Sequence, residues 1–167
     1  MLGVWLAAAV VLGALLLVAR AARTGGDDPD QARQRPGFLD AGSLPVPAPS
    51  VAGIPRPGHR AVVFFARQDE AGELCRELAG HPSIRGRADV AVVVVAGVAP
   101  PACSGGTVVA DSSGAIARAY GLPVPRDGGP PTGYAVVDSA GAVRYRTLDP
   151  EVIDQLSEVA TIVGATP

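Results

Sequence analysis

Two apolar runs separated by a helical segment constrain the fold of this chain most strongly. Residues 61–66 read AVVFFA, and residues 89–97 read DVAVVVVAG. Strands that lack polar alternation are typical of sheets buried on both faces. Between them, residues 69–80 carry Leu74 and Leu78 one helical turn apart. A buried strand, a helix and a second buried strand predict a parallel βαβ unit.

The second half of the chain adds a helix, a hairpin and a final helix. A short apolar piece at 107–110 leads into a helix that extends through about Tyr120. Segments 133–137 and 142–146 flank a turn that ends in glycine, which predicts an antiparallel hairpin. Residues 150–163 begin with proline and repeat valine and leucine at helical spacing. The predicted fold is therefore α/β, with the order β-α-β-α-β-β-α.

The amino terminus predicts a single membrane-spanning helix before this domain. Residues 2–19 contain no charged side chain, and Arg20 and Arg23 end the run. As a helix the run spans roughly 27 Å, close to the hydrocarbon thickness of a bilayer. A cleaved signal peptide is the alternative, but no Lys or Arg precedes the run. We therefore expect a single-pass cell-membrane protein that contacts the lipid bilayer through residues 2–19.

The stretch that follows predicts a linker between anchor and domain. Its Pro-rich part excludes a central strand or a regular helix, because proline fixes φ and lacks a backbone donor. Residues 44–54 could still lie across one edge of the sheet. The chain thus divides into an anchor at 1–23, a linker at 24–59 and a folded domain at 60–167. The prolines of the linker are Pro36, Pro45, Pro47, Pro49, Pro55 and Pro57.

Composition excludes several classes of function. The net charge is −2 and the pI about 5.6, so no basic surface for nucleic acid is expected. All fourteen basic residues are arginine, which we attribute to a GC-rich bacterial genome. Cys75 and Cys103 lie far apart and form neither a CxxC motif nor a metal-ligand spacing. No metal and no other cofactor is predicted.

Residues 62–163 resemble the thioredoxin-like superfamily, nearest to its redoxin branch of thiol-disulfide reductases and peroxiredoxin-like proteins. The matching motifs lie before the first helix, around the second helix and in the hairpin. They read VVFF at 62–65, VVAD at 108–111 with ARAYG at 117–121, and GYAVVD at 133–138 with GAVRY at 141–145. The resemblance implies a thioredoxin fold. It also implies an extracytoplasmic domain, whereas Arg20 and Arg23 favour a cytoplasmic one.

The resemblance implies a redox site at the start of the first helix, and the chain departs from it there. Counted without gaps, the two CxxC positions fall on Asp69 and Gly72. With a three-residue insertion, Cys75 takes the place of the second, usually buried cysteine and Gly72 that of the nucleophile. A peroxiredoxin alignment places Cys75 within one residue of the peroxidatic cysteine, but the frame threonine and proline are missing.

Three interpretations of Cys75 remain open from the sequence. An inert helix cysteine is favoured, because Cys75 lies about two turns into the helix and the helix dipole fades after the first turn. Glu73 and Glu77 would also disfavour a thiolate. The alternatives are a single reactive thiol and a disulfide with Cys103, which requires an oxidising compartment.

A proline before the third family strand is a further hallmark of the superfamily, where it is normally cis and beside the active sulfur. Pro131 is the candidate, but its spacing to Asp138 is one residue longer than usual. Thr132 therefore occupies the expected place, which makes cis geometry at Pro131 doubtful.

Two classes of function follow from these patterns. The first is a membrane-anchored thioredoxin-like module that has lost the CxxC dithiol and serves as a degenerate redox or partner-binding module. The second is a membrane-anchored single-cysteine thiol oxidoreductase or peroxidase, which acts through Cys75 on peroxides or on a protein thiol or disulfide partner. Missing site residues favour the first class, and whether the chain is an enzyme stays open.

Overall fold

The computed structural model describes residues 44–99, 102–125 and 128–167. The predicted anchor and most of the predicted linker lie outside these residues. Within the described ranges, no helix combines the length and the apolar character needed to cross a bilayer.

The predicted βαβ unit forms the centre of the sheet. Strand β2 covers Ala61–Ala66, helix α1 covers Gln68–Ala79, a short helix α2 covers Pro82–Arg85, and strand β3 covers Asp89–Val95. The two strands pair in parallel, with Ala61 opposite Asp89. All six residues of β2 are buried, and so are the last six of β3.

The predicted hairpin is confirmed and joins the central unit on one side. Strand β5 covers Gly133–Val137 and strand β6 covers Ala142–Leu148. They pair with each other in antiparallel fashion, and β5 also pairs antiparallel with β2. The backbone N–H of Ala142 donates to Asp138, whose carboxylate thereby orders the turn.

Two strands were missing from the predicted order. The apolar piece at 107–110 is strand β4, Thr107–Asp111, parallel to β3 and at one end of the sheet. At the other end, Val46–Pro47 forms a two-residue strand β1 against β6. Both are edge strands with partly exposed side chains, so neither has the continuous apolar run that identified the central strands.

The sheet therefore has six strands in the order β1-β6-β5-β2-β3-β4. Helix α3 at Ala115–Ala119 follows β4, and Asp111 accepts a hydrogen bond from the Ala117 N–H. The last helix begins later than predicted: a 3-10 turn at Val152–Gln155 precedes α4 at Leu156–Ala165.

Both faces of the sheet are covered, which explains the unbroken apolar strands. Val62 and Phe64 face a core that includes side chains of α1 and α4. Val63 and Phe65 face a second core that includes Tyr120 and the buried Val51 of the proline-rich segment. The parallel βαβ unit, the antiparallel hairpin and the final helix together make this a thioredoxin-like fold.

Candidate functional site

Cys75 lies in the interior of helix α1, on the face that packs against the sheet. Ala71, Leu74 and Leu78 share this buried face, and Cys75 itself is only 4% exposed. At 1.5 Å per residue, Cys75 lies about 10 Å along the helix from Gln68. The amino-terminal N–H groups that stabilise an anion are therefore out of its reach.

Cys75 forms a disulfide with Cys103, and the two Cα atoms are 5.1 Å apart. Cys103 is partly buried and packs against the same core cluster as Cys75. The sequence left three interpretations of Cys75 open, and the structure agrees with the disulfide to Cys103. The favoured interpretation of an inert helix cysteine without a disulfide partner was wrong, because the segment that carries Cys103 and Gly105 packs against helix α1.

The segment after Cys103 fits closely against the helix, and two glycines make this fit possible. A Cβ atom on Gly105 would lie 2.5 Å from the Leu78 Cβ and 2.9 Å from the Cys75 carbonyl oxygen. A Cβ atom on Gly106 would lie 2.6 Å from the carbonyl oxygen of Val90. Side chains at these positions would push the segment away from the helix and from β3.

An open groove of about 470 Å³ adjoins the disulfide. It lies at the amino end of β3 and β4, and Cys103 lines it whereas Cys75 does not. Its charged lining residues are Arg56, Arg85 and Asp89. Arg85 reaches back from α2 and donates from Nη1 to the carbonyl oxygen of Ala79, at 3.1 Å.

An ion pair closes one side of this groove. Arg56 donates from Nε to Asp89 Oδ2 at 2.8 Å, and its Nη2 pairs with Oδ1. These hydrogen bonds hold the pKa of Asp89 below its ordinary value, although burial acts in the opposite direction. Asp89 therefore stays ionised at neutral pH, and the pair attaches the turn before β2 to the start of β3.

The family resemblance placed the redox site at the carboxyl end of β2, but the residues there are not the cysteines of a CxxC motif. Arg67 Nη2 donates to Asp69 Oδ2 at 2.6 Å, and this hydrogen bond lowers the pKa of Asp69. Gln68 accepts a hydrogen bond from the Val98 N–H at 3.3 Å. Gly72 is exposed, with open space around its Cα. An ion pair and a glycine thus occupy the two CxxC positions.

Pro131 and Thr132 lie at this same carboxyl end, because Gly133 pairs with Phe65. Among the described residues, the cis peptide bonds precede Pro45 and Pro55 rather than Pro131. Thr132 is buried, and its carbonyl oxygen accepts the Asp149 N–H at 2.9 Å. The structure therefore brings Cys75 together with Cys103, whereas Gly72, Pro131 and Thr132 lie toward the other end of the sheet.

The groove residues were not identified from the sequence. Arg56, Arg85 and Asp89 are ordinary charged residues at element ends and meet only in the folded chain. The adjacent Gly105 and Gly106 after Cys103 offered a usable signal, since paired glycines often mark a close backbone approach. In the described part of the chain, no group of three or more His, Cys, Asp and Glu side chains could hold a metal ion.

Comparisons with known proteins give structural neighbours only. No family model matches the sequence, and no curated protein matches it. A thioredoxin-like protein solved in its oxidized form is 13% identical and aligns over 81% of this chain and 99% of its own, with a TM-score of 0.48. Xanthomonas campestris peroxiredoxin Q is 16% identical over 76% of this chain and 94% of its own, with a TM-score of 0.47. MTB dsbF is 20% identical over 64% and 82%, with a TM-score of 0.42.

A likeness at this level concerns the fold alone. The strand order and the connections described above identify the fold as thioredoxin-like, in agreement with the resemblance of the sequence to redoxins.

Proposed function

We propose that this chain is a membrane-tethered thioredoxin-like protein that exchanges thiols and disulfides through Cys75 and Cys103. The carrying observation is the asymmetry of the disulfide. Cys75 is buried at 4% exposure, whereas Cys103 is partly exposed and lines an open groove. A dithiol couple needs one cysteine that a partner can attack and a second that resolves the intermediate, and the partly exposed Cys103 and the buried Cys75 match these two parts.

The exchange begins at Cys103. A partner thiolate attacks the Cys103 sulfur, a bond forms between these two sulfurs, and the Cys75 sulfur leaves with the electron pair and takes a proton from solvent. A second partner thiolate attacks the partner's sulfur in the mixed disulfide, and Cys103 leaves as a thiolate. Two partner thiols are thereby oxidised to one disulfide while Cys75 and Cys103 are reduced. In the reverse direction, the Cys103 thiolate attacks a partner disulfide and Cys75 resolves the intermediate.

The environment of Cys75 favours the reverse direction. Its thiolate lies beyond the first helical turn, in an apolar core, and so gains little from the helix dipole. A couple whose reduced form is poorly stabilised has a low reduction potential. We expect a potential of roughly −230 to −300 mV, in the range of reducing dithiol proteins.

The anchor at residues 2–19 belongs to this proposal, since it would hold the domain at a membrane surface. A disulfide persists in an oxidising compartment, which supports an extracytoplasmic position for residues 60–167. An extracytoplasmic position agrees with the family resemblance, whereas Arg20 and Arg23 favour a cytoplasmic one. Labelling of reduced intact cells with a membrane-impermeant thiol reagent tests the orientation. Labelling that occurs only after lysis would place the domain in the cytoplasm.

A redox titration tests the exchange itself. The full chain in mild detergent is equilibrated in graded dithiothreitol buffers, alkylated, and its free thiols counted by mass. We expect a reversible two-electron transition in the stated range and reduction of insulin disulfides by the reduced chain. Cys103→Ala should abolish insulin reduction. Asp69→Asn, the control at the carboxyl end, should leave the midpoint unchanged.

A redox-inert partner-binding module is the second candidate. The close fit of Gly105 against helix α1 and the burial of Cys75 favour it, because both are typical of a structural disulfide. The same titration separates the two. A disulfide that resists reduction until denaturant is added, or a midpoint well below about −300 mV, would make the bond a structural crosslink and remove the exchange proposal. A single-thiol peroxidase acting through Cys75 is not favoured, because that sulfur is bonded and buried.

A further inference from the structure

We infer that the groove beside Cys103 is the docking site of the exchange partner, and that this partner is a peptide segment with carboxylates next to its reacting cysteine. The inference rests on the proposed exchange function and adds the location and the partner's chemistry. It places the partner at the amino end of the parallel strands, not at the helix start.

The groove lies at the opposite end of the strands from the start of helix α1. Groove residue Asp89 pairs with Ala61, at the beginning of β2, while Thr132 and Gly133 adjoin Phe65 at its end. Four residues along a strand separate these positions by about 13 Å. A partner that reaches Cys103 through the groove therefore approaches a different part of the surface from one that approaches the start of α1.

The groove is large enough for a short peptide segment. A cavity of about 470 Å³ suits a ligand of a few residues, within the range of roughly 300 to 1,000 Å³ for small-ligand sites. Its lining includes Ser104, Thr107 and the two glycines between them, and these residues carry hydroxyl and backbone polar groups. These groups can hydrogen-bond an extended peptide on either side of its cysteine.

The charged side chains that line the groove favour an acidic partner. Two guanidinium groups, Arg56 and Arg85, and one carboxylate, Asp89, are the charged groups of the lining. The groove therefore has an excess of one positive charge, whereas the whole chain has a net charge of −2. Arg56 is engaged by Asp89, so Arg85 supplies the excess charge. An acidic segment is attracted at this place and a basic one is not.

The experiment compares three single-cysteine peptides that differ only in the two residues beside the cysteine: both Asp, both Asn or both Lys. Each reduced peptide attacks the oxidised full chain in mild detergent at low salt, and acid-quenched mixed disulfide is quantified by mass. Each rate is divided by the rate of the same peptide with hydroxyethyl disulfide, which is neutral, so that differences in thiol reactivity cancel. We expect the normalised rate of the Asp peptide to exceed that of the Asn peptide on the order of tenfold. This ratio of rates, the advantage of the Asp peptide, should fall in 0.5 M NaCl.

Two arginine variants locate the effect. In Arg85→Gln, the normalised rate of the Asp peptide should fall to within about twofold of that of the Asn peptide. Arg118→Gln is the matched control, because Arg118 also donates to a backbone carbonyl, that of Ser113, but does not line the groove. It should behave as the parent chain. Thr107→Arg adds a cation to the groove without removing a contact of Arg85, and should increase the advantage of the Asp peptide.

The outcomes separate this inference from the proposed function. If no peptide and no dithiothreitol opens the disulfide under native conditions, the exchange function itself is wrong. If all three peptides react at the same normalised rate, or if Arg118→Gln has the effect expected of Arg85→Gln, exchange stands and the docking inference is overturned. Should Arg85→Gln fail to fold, an unchanged rate ratio in Thr107→Arg would overturn the inference in the same way.

Discussion

The two ends of the paired strands β2 and β3 differ in what they offer chemically. At the carboxyl end, an ion pair between Arg67 and Asp69 stands at the start of helix α1, and the first turn of the helix contains no cysteine. Toward the amino end, the disulfide between Cys75 and Cys103 adjoins an open groove. The thioredoxin-like fold is therefore present, but the sulfur of helix α1 lies beyond the first turn of the helix.

This displacement changes the physics of the site. From Asp69 to Cys75 the helix rises by about 9 Å, which takes the sulfur out of the region where backbone N–H groups stabilise an anion. What the site gains is a second sulfur from the segment between β3 and β4. The proposed exchange therefore depends on one partly exposed and one buried cysteine rather than on an activated helix start.

The largest effect is expected from breaking the disulfide. The crosslink closes a loop with a sequence separation of 28, so its loss in Cys103→Ala should lower the free energy of unfolding by about 3–4 kcal/mol. Cys75→Ala should cost about 1 kcal/mol more, because it also leaves a small cavity in the core. Urea unfolding of the full chain, followed by circular dichroism, measures both.

The reduced parent chain is the control for this pair of variants. It should unfold close to Cys103→Ala, since both lack the crosslink and keep the rest of the contacts. A loss below about 1 kcal/mol in either case would mean that the segment between β3 and β4 is held on helix α1 without the bond.

Two glycine substitutions sharpen the comparison between the ends. Gly105→Ala should destabilise the chain by about 1–3 kcal/mol, because the new Cβ would overlap the Leu78 Cβ and the Cys75 carbonyl oxygen. Gly72→Ala, on an exposed and unobstructed helical position, should instead stabilise it by about 0.5–1 kcal/mol.

The same urea experiment gives both values, and their signs are the result of interest. Equal and small effects at the two positions would show that the segment after Cys103 is not tightly packed in solution. A loss of stability in Gly72→Ala would point to a conformation at the helix start that differs from a regular helix.

Sequence and structure agree where burial is complete and diverge where the chain is half exposed. The unbroken apolar residues of 61–66 and 90–95 predicted the central strands, because a strand covered on both faces needs no polar alternation. Strand β4 was not predicted as a strand, since four of its five residues are exposed or half-buried and the pattern of so short a piece is ambiguous.

The site was less accessible to prediction than the fold, for a physical reason. Residue patterns located Cys75 on a helix and set out a disulfide with Cys103 among three alternatives. Choosing among them required the path of the segment between β3 and β4, which depends on how Gly105 packs against Leu78. The groove depends in turn on Arg56 and Asp89, which are 33 positions apart and meet only after folding.

The smallest effect is expected from acidification, and it again distinguishes the two ends. The pKa of Asp89 is lowered in the folded chain, so its ion pair with Arg56 contributes stability above the unfolded pKa of about 3.9. That contribution is lost as the pH falls through the lower folded pKa. The pKa of Asp69 is lowered too, but its side chain is 64% exposed against 8% for Asp89, so solvent screens its pair with Arg67 more strongly.

We therefore expect Asp89→Asn to lower the melting temperature of the full chain at pH 7 and Asp69→Asn to lower it less. Both differences from the parent chain should persist from pH 7 to pH 5 and shrink below about pH 4, where the carboxylates of the parent chain become protonated. Melting curves at half-unit pH intervals measure this. A larger effect for Asp69→Asn would mean that the ion pair at the helix start contributes more to the fold than the one beside the groove.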